Sequence, residues 1–183
     1  AQFWLGDHYY RLGDYPNAEM TYQRVVENTN WPVTRLTYEA RMMAGRAAFA
    51  GQRWINAGGT NNGHFTLLVN NNNCLSAAPD IAAEAFFALG DTMLRKEADP
   101  ARPLAKFNEA REAYSKIPQL FPTNRLVPEA WGMIGNCYLQ MAVGDPKLYD
   151  SAIEAYQRVV TNDVAGVALR SQAEIGLAQT IEK

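Results

Sequence analysis

One arrangement of small and large residues constrains this chain more than any other, and it is clearest in residues 129–156. Counted from Trp131, the residues Ile134, Gly135 and Tyr138 fall three, four and seven places on, which is one face of an α-helix. The turn VGDPKLYD follows, and then Ala152 and Tyr156 lie four apart on a second helix. The arrangement repeats. A glycine recurs at Gly6, Gly45, Gly90, Gly135 and Gly176, and an alanine of the second helix at Ala18, Ala57, Ala110 and Ala152. An aromatic tracks that alanine at Tyr22, Phe65, Tyr114 and Tyr156, and a branched residue follows at Val25, Leu68, Ile117 and Val159. Small residues at these places let two helix backbones approach closely, and large ones fill the volume between them. A single pair cannot bury its apolar stripe alone, so neighbouring pairs must stack.

The order Trp131, Ile134, Gly135, Tyr138, Ala152, Tyr156 resembles the tetratricopeptide-repeat pattern, W-x2-L-G-x2-Y followed by A-x3-F. The resemblance implies an all-α fold, a right-handed α-solenoid of stacked antiparallel helix pairs with about nine helices; the hand comes from the family alone. Units are expected over residues 1–32, 33–78, 79–124, 125–162 and, in part, 163–183, within a single repeat domain over 1–183. Residue 1 already falls inside a helix and the last helix has no following partner, so a fragment of a longer repeat protein is expected. The long units, the Phe121-Pro122 ending and the PEAW start look most like a bacterial subgroup. Its members serve outer-membrane assembly and periplasmic cell-envelope scaffolding, which favours a cell-envelope location.

The units differ in how they turn. In the first, Gly13-Asp14 breaks the helix pair, with Asp14 as N-cap and Pro16 in the first turn. The second carries Trp54 in the place of Tyr15 and then about four extra residues between Ala57 and Phe65. Three glycines and two asparagines in residues 58–63 predict a loop or a broken second helix there. Residues 70–79 read as a polar connector. In the third unit either the first helix is extended or a loop intervenes at residues 99–103, and Pro118 should bend or end the second helix near Ile117. Residues 165–182 form the last helix.

Composition removes several functions. Seventeen basic and nineteen acidic residues give a formal charge of −2, with none of the Lys and Arg clustering that nucleic acid requires. No apolar run approaches the roughly 18 residues that would insert into a membrane. The first ten residues lack the charged and apolar regions of a signal peptide. The two histidines have no partner at i+3 or i+4 and no C-x-x-C exists, so neither metal nor other cofactor is expected. His64 in the inserted segment reads as a solvated loop histidine. AGGTNNG lacks the lysine ending and preceding strand of a phosphate loop. Cys137 reads as a small buried hydrophobe. Catalysis has no visible constellation, and the chain is read as a non-enzyme.

In the tetratricopeptide family, first helices line a concave groove whose exposed places lie three before and one, four and five after the marker glycine. Carried over, these give Phe3, Asp7, Tyr10 and Arg11; Met42, Arg46, Phe49 and Ala50; Phe87, Asp91, Leu94 and Arg95; and Gly132, Asn136, Leu139 and Gln140. Apolar side chains interleaved with Arg11, Arg46 and Arg95 form the mixture typical of binding hot spots. Asp7 and Asp91 stand where carboxylate-clamp members have asparagine, so that specificity is not carried over. The expected partner is another protein or a peptide segment, held by a monomer or weakly self-associating chain. The alternatives are a self-assembling unit stacking through open repeat ends, or the repeat arm of a larger enzyme.

Overall fold

The computed structural model describes residues 1–183, which form two compact units, Ala1–Arg95 and Lys96–Lys183. The first holds α1 (Gln2–Arg11), α2 (Tyr15–Glu27), α3 (Arg35–Ala50), a π turn (Ile55–Gly59), α4 (His64–Val69), α5 (Asn72–Ala77) and α6 (Pro79–Arg95). The second holds α7 (Ala105–Leu120), α8 (Val127–Met141), α9 (Leu148–Val160) and α10 (Val167–Ile181). There is no strand. The nine expected helices are present, with α5 as an addition, in the stacked adjacent-pair arrangement of a tetratricopeptide-like solenoid.

Three of the pairs are closed by a ring pressed onto a glycine. A methyl group at Gly6 would stand 2.6 Å from Cε1 of Tyr22, and one at Gly135 2.7 Å from Cε1 of Tyr156. A methyl group at Gly45 would collide in the same way with the ring of Phe65. In each case the ring comes from the helix that follows. Gly176 differs: it meets the Cζ of Tyr156 at 2.6 Å, so it receives the ring of the preceding helix, and Tyr156 is gripped between two glycines. The four repeated alanines are fully buried, and Val25, Leu68, Ile117 and Val159 are 0–6% exposed. The pattern in the sequence is therefore the core.

Turn chemistry sets the ends. Gly13 takes φ +75°, a left-handed conformation in which a side chain is strained, and Asp14 then caps α2 by accepting from the Asn17 amide at 3.3 Å. In the second unit of the repeat, the second helix is broken as expected into the π turn, a short tight segment and α4. Gly63 is required in that segment because a Cβ there would lie 2.6 Å from the Gly58 Cα.

Two expectations need correction. Residues 70–79 are not simply a connector: the Asn71 side chain accepts from the amides of Asn73 (3.0 Å) and Cys74 (3.1 Å) and starts α5, whose own Cys74 is wholly buried. Of the two outcomes expected at Pro118, a bend or an end near Ile117, the end does not occur. The helix continues to Leu120, and the Phe121 amide bonds to the Ile117 carbonyl at 2.8 Å. A proline so near a C-terminus removes one hydrogen bond and has little helix left to distort.

Candidate functional site

The residues of the two units are taken separately. In Ala1–Arg95, Phe3, Met42 and Arg46 come together around a depression of about 270 Å3. Met42 is only 5% exposed and forms its floor rather than an exposed contact. Met43 and Ile81 complete the apolar lining. Charged side chains from α3 and α6 form the rim. Arg35 makes a two-pronged pair with Asp80 at 3.0 and 2.5 Å and also reaches Glu39 at 2.9 Å. Arg46 donates to Glu84 at 2.6 Å. The carboxylates of Asp80 and Glu39 hold Arg35 above its ordinary value, and Arg35 in turn lowers Asp80.

Five of the other places chosen from the sequence, Asp7, Tyr10, Phe49, Asn136 and Leu139, are engaged within the packing of their own units. Asp7 accepts the Tyr22 hydroxyl at 2.5 Å, and burial together with that bond pushes the Tyr22 phenol up. Tyr10 stands edge-on to Tyr15, with ring centroids 5.5 Å apart, and Phe49 edge-on to Trp54 at 4.9 Å. Trp54 thus does take the place of Tyr15. Ala50, Phe87, Asp91 and Leu94 are half-buried, while Arg11 and Arg95 are exposed. In Lys96–Lys183, Asn136 repeats the role of Asp7 by accepting the Tyr156 hydroxyl at 2.7 Å. Leu139 packs against the core around Tyr156, Gly132 is half-buried, and Gln140 is exposed.

The sequence template missed Arg35, Glu39, Asp80 and Glu84. Arg35, Glu39, Met42 and Arg46 repeat at helical spacing, so one charged-and-apolar face of α3 was legible. Their partners on α6 were not, because only packing brings Asp80 within reach of Arg35.

A second polar cluster pins the inserted segment. Glu19, 7% exposed, accepts from Arg53 Nε at 2.9 Å, from the Asn56 amide at 3.1 Å, and lies 3.1 Å from His64 Nε2. Burial opposes its charge, but the hydrogen bonds from His64, Arg53 and Asn56 together outweigh it and bring Glu19 down to about 2. His64 is therefore not a solvated loop residue. It is 8% exposed and opens α4, held there because the carboxylate of Glu19 needs donors.

No three His, Cys, Asp or Glu side chains converge as metal ligands, and Cys74 and Cys137 are both buried free thiols. No helix is long and apolar enough to cross a membrane.

Compared with known proteins, residues 1–28 match a tetratricopeptide-repeat family model. That stretch is α1, the Gly13 turn and α2, so the match falls on one complete glycine–tyrosine pair. No curated protein matches the chain. The helical repeat is a protein-interaction architecture in this family, and the chain is similar to it.

Proposed function

We propose that the chain is a non-catalytic scaffold that holds an extended or helical segment of another protein against the first helices α1, α3 and α6. The depression between α3 and α6 carries this reading. Its floor of Met42, Met43 and Ile81 offers apolar contact, and its rim offers both signs of charge at Arg46 and Glu84. A groove so lined suits an amphipathic segment and does not suit a polyanion. By the same family resemblance, the scaffold belongs to the bacterial cell envelope.

A displayed peptide library selected against the chain tests the reading. Selected peptides should bind roughly tenfold more weakly to Phe3→Ala and Arg46→Ala, as expected for hot-spot truncations. Trp31→Ala, whose side chain lines a different surface, should leave affinity unchanged. Peptides that bind all three variants alike remove the groove from consideration. Self-assembly is the competing reading, favoured by Val167, Ile175 and Ile181 of α10, which are 73%, 59% and 67% exposed. It predicts a mass that climbs above 20.4 kDa with concentration, without ligand.

A further inference from the structure

Glu39, Met42, Met43 and Arg46 share the face of α3 that borders the depression, and helical spacing places Arg41 on another face. Arg41 lines a separate recess of about 240 Å3, together with Gln23 and Glu27 of α2, Asn62 of the inserted segment and Leu67 of α4. It is half-buried, yet its guanidinium has no hydrogen-bond or ion-pair partner in the chain. Arg53, also half-buried, is by contrast fully engaged by Glu19. Burial pushes the Arg41 guanidinium down from its ordinary value, and only Glu27 opposes this. One oxygen of the Glu27 carboxylate, Oε1, accepts from Gln23 Nε2 at 2.5 Å. What remains is a rigid fork of donors facing a recess whose one carboxylate, Glu27, makes no hydrogen bond or ion pair with it.

We infer that this recess is a second binding site, for a single carboxylate of a partner chain, gripped by both prongs of Arg41 with the Asn62 amide beside it. Planar carboxylate matches the guanidinium fork, which is the strongest and most selective pairing available to it. Glu27 on the wall decides the charge of the guest. Arg41 and Glu27 already balance each other, so a singly charged carboxylate leaves one uncompensated charge in the recess and a doubly charged phosphate leaves two. The recess is smaller than the roughly 300–1,000 Å3 of ordinary ligand pockets, so it admits a side chain or chain end. The inserted segment thereby acquires a purpose: Asn62 stands beside Leu67 of α4 on the recess wall, at a place that an undecorated unit lacks. This site is independent of the groove on α3 and α6.

The test titrates acetate and inorganic phosphate, at constant ionic strength, into the isotope-labelled chain while following the Arg41 Nε–H and Asn62 side-chain amide resonances. Acetate should shift both saturably, with affinity at least about tenfold weaker in Arg41→Gln and weaker by a smaller factor in Arg41→Lys. Asn62 lies in an exposed turn, so Asn62→Ala should weaken acetate with thermal unfolding unchanged, which separates loss of site from loss of fold. Resonance changes that never saturate, or that persist in Arg41→Gln, overturn the site. Phosphate binding tighter than acetate overturns the carboxylate assignment. N-acetylglycine, with only a terminal carboxylate, and N-acetylglutamate methylamide, with only a side-chain one, then separate the two sources. If both bind more weakly than acetate, a protein carboxylate is not the guest.

Discussion

The ring of Tyr22 lies so close over Gly6 that a methyl group there would stand 2.6 Å from its Cε1. The ring cannot retreat easily, because its hydroxyl is anchored on Asp7 and the residue is fully buried. The glycine thus creates the space and the following acid fixes what fills it. Asn136 and Tyr156 do the same around Gly135. In the remaining pair of the first unit the ring is Phe65, which has no hydroxyl to place, and Arg46 turns instead to Glu84.

Two glycines three residues apart on α8 should respond to the same substitution with opposite signs. Glycine inside a helix is about 0.5–1 kcal/mol less favourable than alanine. Gly132→Ala adds a Cβ whose nearest neighbour, Leu169 Cδ1, is at an ordinary 3.8 Å, so the variant should gain that amount. Gly135→Ala drives a Cβ to 2.7 Å from the Tyr156 ring, and overpacking of this kind costs about 1–3 kcal/mol. Urea denaturation midpoints, higher for the first variant and lower for the second, check the argument. A rise in both would show that the ring yields.

Tyr22→Phe removes a hydroxyl and leaves Asp7 without that donor. The expected loss is about 1 kcal/mol, read as a lower denaturation midpoint with an unchanged slope. Asp7→Asn keeps an acceptor oxygen, as Asn136 does naturally, and should be closer to neutral.

This recurrence explains what the sequence made legible. Glycine, alanine and aromatic positions recur because each repeat solves the same packing problem, and a period is visible without coordinates. The groove places were carried over by register alone, and register does not reveal which side chains are already engaged. Asp7, Tyr10, Phe49 and Asn136 read as available, yet each is used by its own helix pair. The inserted segment was hardest to read. His64 found Glu19 forty-five residues away, and no local spacing encodes a bond of that separation.

That bond gives a pH dependence with a definite sign. Glu19 sits at about 2 in the folded chain against an ordinary value of 4.5, so folding favours its charged form. The stability it contributes is complete above about 4.5 and is lost as pH falls from there toward 2. A tenfold change in proton affinity corresponds to about 1.4 kcal/mol, which caps the contribution at about 3 kcal/mol. Glu19→Gln should be less stable at neutral pH and should flatten the unfolding free energy between pH 4.5 and 2. An acid transition equally steep in the variant would assign it to other carboxylates.

The rim ion pairs should matter little to stability. Arg35 and Asp80 are each 53% exposed at their side chains, and such solvent-screened pairs add little to stability and weaken with salt. Arg35→Ala should therefore move the denaturation midpoint only slightly, and less still at high ionic strength.

Cys137 offers a readout of opening that needs no engineered label site. Burial at 1% exposure pushes its thiol up to about 12, against a smaller opposing pull from Arg111. At neutral pH the thiolate that reacts is thus scarce as well as covered. An aromatic disulfide reagent should label the native chain slowly at both cysteines, and guanidinium should release both at the rate of an unfolded thiol. Cys74 belongs to the six-residue helix α5, whose start depends on the Asn71 side chain, whereas Cys137 lies in the fifteen-residue α8. Short helices have little stability of their own, so local opening should expose Cys74 first. Asn71→Ala should speed Cys74 labelling severalfold and leave Cys137 unchanged. Equal acceleration at both sites would mean that α5 opens only when the whole chain does.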